Sequence, residues 1–321
     1  MKRMDSQAGI HMPLNNLRKD VGGAISVILI VLIVILMVSA SSVAILLYST
    51  NQTNTGPSSQ TAAAGDTVKV DYTGRLADGR VFDTSLWSVA SNNALYPKSL
   101  DFQLKGQVQY TPLSFTVNGG QLITGFDQGV IGMKVGQTKV IAVPPSQGYG
   151  PMNGSKLFSA NLIDVQPVKL YMNYSNFASN YGASPQEGMT VHDPLYGWDA
   201  IVLSADQAAN TVVVMNMPVL NQEYAVYGEP DAQSPTGWYA KVISIETAPN
   251  NGNGTIMVQN LLTSKDAGYI QGVSTGAPMS GTFIVDQVNQ TAGTYRMNFN
   301  GEIIGVTLYF TVTLVEITVK A

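Results

Sequence analysis

The chain has 321 residues, of which 45% are hydrophobic and only 12% are charged, and its formal net charge is −4. This length is typical of about two domains, and the charged fraction is about half the roughly 25% of an average soluble domain. The composition excludes a nucleic-acid-binding protein that works through a basic surface and a charge-rich disordered chain. The absence of cysteine excludes disulfide scaffolds, zinc ribbons and thiol catalysis. The two histidines, His11 and His192, are far apart, so any enzymatic chemistry is expected to need no histidine.

The first feature along the chain is an uncharged apolar run at residues 24–48, AISVILIVLIVILMVSASSVAILLY. About 20 helical residues cross a bilayer, so this run predicts a transmembrane helix. Basic residues precede the run and no charge follows it before Asp66. By the positive-inside rule, residues 1–23 are then a cytoplasmic tail and the rest of the chain is extracytoplasmic. Two alternatives remain open: a cleaved signal peptide, or a pilin-like structural subunit, because basic residues followed by Gly22-Gly23 resemble an archaeal pilin leader.

Residues 49–65 are rich in Ser, Thr, Asn, Gln and Gly and carry no charge. This composition predicts a flexible linker between the membrane and the folded part. Glycosylation sequons of the form N-x-[ST] suit an extracytoplasmic location; they occur at Asn51, Asn153, Asn173, Asn253 and Asn289.

Beyond the linker the sequence is typical of β-structure. β-Branched and aromatic residues alternate with polar ones between Gly, Pro, Asn and Asp, which predicts strands at 67–73, 113–117, 138–143, 201–203, 211–215, 238–245, 282–288 and 307–319. The one helical candidate is 124–133, in which Phe126, Val130 and Met133 share a face. Thr124 is expected to cap its N-terminus. One short helix against an antiparallel sheet is an α+β pattern.

Three segments carry motifs that occur together in one known family. Residues 65–83 read GDTVKVDYTGRLADGRVFD, 115–150 read FTVNGGQLITGFDQGVIGMKVGQTKVIAVPPSQGYG, and 307–317 read TLYFTVTLVEI. In order and chemistry these segments resemble the FKBP-type peptidyl-prolyl cis–trans isomerases. The resemblance implies a half-barrel of antiparallel strands wrapped on one short helix, formed by residues 66–150 and 307–321.

The resemblance also implies an apolar pocket between helix and sheet that takes a proline ring. The family's catalytic positions fall on Tyr72, Phe82, Asp83, Ile123, Tyr149 and Phe310, and its substrate-binding positions on Leu113, Gln121, Leu122 and Phe126. Phe126 stands at the pocket floor, where relatives often have Trp. The Tyr149 hydroxyl and the Ile123 N–H are expected to bind substrate carbonyls, and Asp83 either to orient Tyr72 or to polarise the surroundings of the rotating carbonyl. Without the family context these aromatic residues would be read as ordinary core residues.

Prolyl isomerisation suits this set of residues. An X-Pro bond rotates over a barrier of ~18–20 kcal/mol because twisting it breaks amide resonance, and no nucleophile is needed. The twisted amide is less polar than the planar one, so a dry aromatic pocket favours it. The sequence therefore predicts an enzyme without cofactor or metal that acts on X-Pro-containing polypeptides.

A long segment, 151–306, separates the pocket motifs from the closing strand. In the SlyD-like subgroup this flap position holds an insert domain that binds unfolded chains, and 295–305 faintly resembles that subgroup's element before the last strand. The resemblance implies a β-rich insert-in-flap domain, and a recurring strand order in 188–246 and 276–317 predicts two repeats. Residues 84–112 are too apolar for a plain loop, so they are expected to form a lid near the pocket or to pack on the sheet.

The whole chain thus predicts a long archaeal or SlyD-like FKBP isomerase. It would be a single-pass membrane protein, anchored by residues 24–48, whose extracytoplasmic part isomerises and chaperones unfolded secreted or envelope proteins. No nucleic-acid partner is expected. The alternative is a non-catalytic FKBP-like module that binds peptides as a holdase or adhesin.

Overall fold

The protein is described from a computed structural model, which covers residues 60–232, 235–247, 252–276 and 278–320. The predicted cytoplasmic tail (1–23), the predicted transmembrane helix (24–48) and residues 49–59 of the predicted linker lie outside the described residues. Within the described ranges, no helix is long and apolar enough to cross a membrane.

The two ends of the described chain together form a five-stranded antiparallel sheet. Its members are β1 (Thr67–Arg75), β2 (Val81–Thr84), β3 (Leu113–Thr116), β4 (Thr138–Val143) and β17 (Leu308–Thr318). Strand β17 lies between β1 and β4, while β2 and β3 pair with opposite ends of β1. In β17 every second residue from Leu308 to Leu314 is buried, as expected for a strand with one face on the core.

Two short helices belong to this part of the chain, α1 (Trp87–Ala90) and α2 (Thr124–Gly129). Helix α2 is shorter than the predicted span 124–133. Its N-cap residue is Ile123, and no side chain caps it, so the prediction that Thr124 caps the helix is wrong. The Ile123 carbonyl already accepts the first helical N–H groups, 3.1 Å from the nitrogens of Phe126 and Asp127, which makes Thr124 the first residue inside the helix.

Two glycines one turn apart let α2 lie flat on β4. A Cβ atom at Gly125 would stand 2.7 Å from Val143 Cγ1, and one at Gly129 would stand 2.6 Å from Ile141 Cδ1. Glycine weakens a helix interior by roughly 1 kcal/mol relative to alanine. Here that cost is offset by close packing of the helix backbone on the strand.

The segment between β2 and β3 folds back on the edge of the sheet. The Val81 N–H donates to the Pro97 carbonyl at 2.8 Å, and the Ser99 N–H donates to the Val81 carbonyl at 2.9 Å. The ring of Trp87, near the start of the segment, lies 5.5 Å from the ring of Tyr110, near its end. Of the two predictions for 84–112, packing on the sheet describes its first part, and the second part reaches the mouth of the cavity described below.

Residues 151–306 hold three four-stranded antiparallel sheets of one topology. Three strands enter in succession: β5 (Leu157–Asn161), β6 (Ile163–Pro167) and β7 (Lys169–Met172). Helix α3 (Tyr174–Tyr181) follows, and after it come three meanders of three strands each. The first consists of β8 (Thr190–His192), β9 (Asp199–Asp206) and β10 (Thr211–Asn216), and the second of β11 (Glu223–Val226), β12 (Trp238–Glu246) and β13 (Thr255–Asn260). The third consists of β14 (Ile270–Ser274), β15 (Gly281–Asn289) and β16 (Thr294–Asn298). The last strand of each meander pairs with an entering strand in reverse order: β10 with β7, β13 with β6, and β16 with β5. The segment therefore holds three nested units, where the sequence analysis predicts two.

The three units share a bulge in the middle strand of each meander. The pairing register skips Leu203 in β9, Ile243 in β12 and Asp286 in β15, in each case directly after a buried valine. Such a bulge bends a strand and increases its twist. Because it recurs at one place, the three units are structural repeats.

The first two units also share a buried side-chain hydrogen bond. The indole N–H of Trp198 donates to Asn216 Oδ1 at 3.1 Å, and that of Trp238 donates to Asn260 Oδ1 at 2.8 Å. The corresponding positions of the third unit hold a glycine and a phenylalanine instead. The hydrogen bond is therefore shared by the first two units and not by the third.

The two ends of the insert meet where they leave the sheet. The Gly305 N–H donates to the Gly150 carbonyl at 2.9 Å. Asn153 and Asn300 are joined by two hydrogen bonds, from the Asn153 N–H to Asn300 Oδ1 at 3.0 Å and from Asn300 Nδ2 to the Asn153 carbonyl at 3.2 Å. The insert therefore leaves and re-enters the sheet through one narrow connection.

A buried ion pair also joins the insert to the sheet. Arg80, just before β2, places Nη1 2.6 Å from Glu302 Oε1, and only 10% and 6% of the two side chains are exposed. Glu302 Oε2 also accepts the Leu100 N–H at 2.7 Å. Arg80 in turn binds Asp78 and lies over the ring of Tyr269. Burial raises the pKa of Glu302 above its usual value, and the charge of Arg80 offsets part of that rise.

Candidate active site

A cavity of about 390 Å³ opens between α2 and the sheet. Ten residues line it: Tyr72, Phe82, Asp83, Leu113, Gln121, Leu122, Ile123, Phe126, Tyr149 and Phe310. These are the ten residues that the sequence analysis assigned to the pocket, and the structure brings all of them together. The catalytic and substrate-binding roles given to them stay predictions. Among the described residues, no group of three or more His, Asp and Glu side chains is placed to hold a metal ion.

The floor of the cavity is a cluster of aromatic rings centred on Phe310. Its ring centroid lies 4.9 Å from that of Phe126 and 5.4 Å from that of Phe82, both edge-to-face, and 6.4 Å from that of Tyr72. Edge-to-face pairs are worth about 0.5–1.5 kcal/mol beyond the area they bury. Phe126 and Phe310 are both buried. The floor is therefore apolar and held in place by its own contacts.

A glycine in β1 makes room for two of these rings. A Cβ atom at Gly74 would stand 2.6 Å from Phe82 Cζ and 3.0 Å from Phe310 Cε1. Contacts below 3.0 Å force a neighbour to move, so any side chain at this position would displace the rings. The glycine of the Y-T-G motif thus shapes the pocket without lining it.

One wall of the cavity is polar. The Tyr72 hydroxyl donates to Asp83 Oδ2 at 2.6 Å, and Asp83 Oδ1 accepts the Thr84 N–H at 2.9 Å. Burial, followed by the hydrogen bond to Asp83, raises the pKa of Tyr72 far above its usual value. The phenol therefore stays protonated at any working pH and fixes the carboxylate, which is the contact expected if Asp83 and Tyr72 orient each other.

Two donors at the rim remain open to a ligand. Tyr149 is half exposed, and its hydroxyl makes no hydrogen bond within the part of the chain that the structure describes. Partial burial, with the charge of Asp83 second, raises the pKa of Tyr149, so the hydroxyl keeps its proton. The Ile123 N–H, at the N-cap of α2, also has no acceptor among the described residues. Both donors are thus unpaired among the described residues, as their predicted role of binding substrate carbonyls requires.

The sequence analysis missed Asp127, whose carboxylate binds the turn that leads into the rim of the cavity. This side chain is 3% exposed. Its Oδ1 accepts the Asn118 N–H at 2.6 Å, and its Oδ2 accepts the Gly120 N–H at 3.3 Å. Asn118 and Gly120 have left-handed backbones, with φ of 58° and 71°, so the two N–H groups of the turn point at one carboxylate, which holds the turn against α2. The signal in the sequence was an acidic residue in the first turn of a helix that follows an N-G-G turn.

Replacing Asp127 with alanine is expected to lower the free energy of unfolding by about 1–3 kcal/mol, because two backbone N–H groups lose the buried carboxylate that accepts from both of them. The released turn leads into Gln121 and Ile123, so KM for a proline peptide is expected to rise more than kcat falls. Asp127→Asn keeps one acceptor oxygen, so its stability and its KM should lie between those of the wild type and those of Asp127→Ala. Urea unfolding and peptide kinetics measure both effects, with Gln128→Ala on the exposed side of α2 as the control. An alanine variant that matches the wild type in both would contradict the assignment.

The fold and the cavity define a class of protein: a small antiparallel sheet on one helix, with a pocket that has an aromatic floor and one polar wall. The model of FKBP-type peptidyl-prolyl cis–trans isomerases matches residues 58–162. The chain belongs to this family of enzymes, which confirms that part of the sequence prediction.

Several named relatives are similar to the chain. A "Short-type peptidyl-prolyl cis-trans isomerase" of Methanocaldococcus jannaschii is 38% identical over 127 residues, which are 40% of this chain and 67% of the relative. "FK506-binding protein 1A" of Neurospora crassa is 30% identical over 36% of this chain and 84% of the relative. "FK506-binding protein 2" of Yarrowia lipolytica is 33% identical over 33% of this chain and 65% of the relative. Among solved structures, the three FKBP domains of wheat FKBP73 match at 25% identity and a TM-score of 0.22, over 32% of this chain and 34% of that one.

Proposed function

We propose that the chain is a membrane-anchored prolyl isomerase that works outside the cytoplasm, on unfolded secreted or envelope proteins, and that its insert holds these substrates. In this proposal the protein is an insert-in-flap form of the family, as the sequence analysis predicts for a long archaeal or SlyD-like member. The observation that carries the proposal is a complete ten-residue pocket next to a large insert with exposed apolar strands.

The pocket can lower the rotation barrier without a nucleophile. A proline ring on Phe126 and Phe310 lies on an apolar floor from which water is displaced. There the twisted, less polar amide is favoured over the planar one. Tyr149 and the Ile123 N–H hold the flanking carbonyls, so the peptide is fixed on both sides of the rotating bond. Holding the reacting group in position contributes to the rate in its own right.

Exposed apolar side chains support the chaperone part of the proposal. Ile163 and Val165, on one face of β6, are 41% and 64% exposed, and β6 ends its sheet. Tyr171 and Met217 of the insert are 56% and 40% exposed, whereas Phe177 packs inside a small core. Exposed apolar patches mark sites that bind other chains, and an edge strand offers free backbone groups to an extended peptide.

Two features support an extracytoplasmic location. One is the apolar run at 24–48 with basic residues before it. The other is the placement of three sequon asparagines, Asn153, Asn173 and Asn289, which are all exposed. Each uses Oδ1 to accept a local backbone N–H, which leaves its amide nitrogen at the surface where a glycan would be attached.

The isomerase and chaperone parts are tested together on the full chain in detergent. The substrates are a short X-Pro peptide and a model protein whose refolding is limited by proline. Tyr149→Phe is expected to slow both reactions. Val165→Asp is expected to spare the peptide reaction and reduce the refolding effect. Val140→Asp, which changes an equally exposed valine on the edge strand β4, is the matched control. No acceleration of either reaction by the folded wild type would favour the non-catalytic holdase, and acceleration that is unchanged in Tyr149→Phe would remove this hydroxyl from the mechanism.

The anchor is tested by sequencing the mature N-terminus and by digesting intact cells with protease. An intact start together with digestion of residues after 60 supports the proposal. Cleavage beside Gly22 would favour the pilin-like alternative, and cleavage after residue 48 would favour a signal peptide. Full protection from external protease would overturn the extracytoplasmic location.

A further inference from the structure

A lysine stands at the mouth of the proline pocket. Lys105 lies in the second part of the segment between β2 and β3, and its Nζ is 3.9 Å from Asp83 Oδ1. About half of each side chain is exposed, 51% for Lys105 and 43% for Asp83. The ammonium group therefore reaches both the pocket wall and the solvent from which a peptide arrives.

The Lys105 ammonium group makes weaker contacts than the ammonium groups of two other lysines. Lys98 donates from Nζ to three backbone carbonyls at 2.5–3.3 Å, and Lys69 binds Glu316 at 2.8 Å. Within the described residues, Lys105 Nζ donates no hydrogen bond, and its one ion pair is the loose contact with Asp83. Asp83 already uses one oxygen for Tyr72 and the other for a backbone N–H. The ammonium group is therefore available to another carboxylate.

The backbone that presents this lysine is fixed. The Lys105 N–H donates to the Tyr110 hydroxyl at 3.0 Å, and the Gly106 N–H donates to Gln109 Oε1 at 3.0 Å. Tyr110 packs in turn on the ring of Trp87. Residues 107–109 form one turn of 3₁₀ helix. A positive charge is thus held over the pocket mouth by a closed turn.

We infer that Lys105 determines substrate specificity, by favouring proline peptides with an acidic side chain next to the proline. Consecutive Cα atoms are about 3.8 Å apart, so the residue next to a proline seated on Phe126 and Phe310 lies at the pocket mouth, where Asp83 and Lys105 stand. An acidic side chain on that residue of the peptide is attracted by the Lys105 ammonium group, and a basic side chain is repelled by it. The inference deepens the proposed function and rests on it.

The experiment uses the full chain and matched peptides that differ only beside the proline, with Glu, Gln or Lys before it in one set and after it in another. The ratio of kcat/KM for Glu over Gln is expected to be about two to five in at least one set at low ionic strength, which is the range of an exposed ion pair. This ratio should fall towards one in concentrated salt. Lys105→Gln should abolish the preference, and Lys105→Glu should turn it towards the Lys peptide.

Lys134→Gln changes an exposed lysine in the turn after α2 and should keep the wild-type ratio. The Gln peptide reports isomerase activity that is independent of charge. Normal turnover of this peptide with no preference for Glu in either set would overturn the inference and leave the isomerase intact. Failure of the wild type to turn over any peptide would overturn the proposed function and the inference with it.

Discussion

Replacing Phe310 with alanine is expected to lower the free energy of unfolding by about 3–5 kcal/mol and kcat/KM for a proline peptide by about tenfold or more. The side chain is 5% exposed and contacts the rings of Tyr72, Phe82 and Phe126. Its removal takes away the centre of the pocket floor and leaves a cavity in the core. Denaturant unfolding and peptide kinetics, measured below the melting temperature of the variant, separate the two losses.

Two further variants show whether the effect belongs to the pocket. Tyr309→Ala changes the neighbouring residue of β17, which points outward and is 38% exposed, and it should cost less than half as much stability. Phe310→Leu restores most of the volume without the aromatic ring, so it should recover stability more than activity. A folded Phe310→Ala variant with wild-type kcat/KM would remove this cavity from the mechanism.

The second large effect is expected at the junction of insert and sheet. Glu302→Ala should cost about 3–5 kcal/mol, because it leaves the buried Arg80 guanidinium with one carboxylate fewer and also frees the Leu100 N–H. Asp78 still binds Arg80, which places the expected value towards the lower end. The free energy of unfolding in urea measures this loss.

Glu316→Ala is the matched control, because its ion pair with Lys69 is of similar length, 2.8 Å, but half exposed. This variant should lose about 0–1 kcal/mol of the free energy of unfolding.

The pH dependence of stability gives a second test of the Glu302 ion pair. The pKa of Glu302 is raised on folding, so its carboxyl binds a proton more readily in the folded state. The wild type should therefore gain stability relative to Glu302→Gln as the pH falls through the pKa of the folded state. Equal losses in the two alanine variants would contradict a buried junction.

The pocket could be predicted from the sequence because each motif places its residues on a strand or turn of known direction. The Y-T-G and F-D residues fall on β1 and β2, and the G-Y-G turn follows β4. Alternation also located eight of the strands, namely β1, β3, β4, β9, β10, β12, β15 and β17, whereas the other strands of the described residues were not predicted. Sequence and structure agree best where a single local rule determines the result.

The rest depends on contacts that no local rule contains. Glu302 and Arg80 look like surface charges until the fold brings them together. Two repeats were predicted instead of three because the first predicted copy, 188–246, joins the first meander to two strands of the second, and only the shared bulge and pairing order separate the units. Asp127 was missed because its partners are backbone groups, which leave no trace in the side-chain pattern.

The nested order of the insert has a consequence for the timing of synthesis. The meander next to β7 can close first, the one next to β6 second and the one next to β5 last, so each closure shortens the loop that remains. Only after the third closure do Gly150 and Gly305 meet and bring β17 between β1 and β4. Phe310 arrives with that strand. A ribosome-bound chain that stops before β17 carries nine of the ten lining residues and no closed pocket, so activity begins only after this strand has been synthesised.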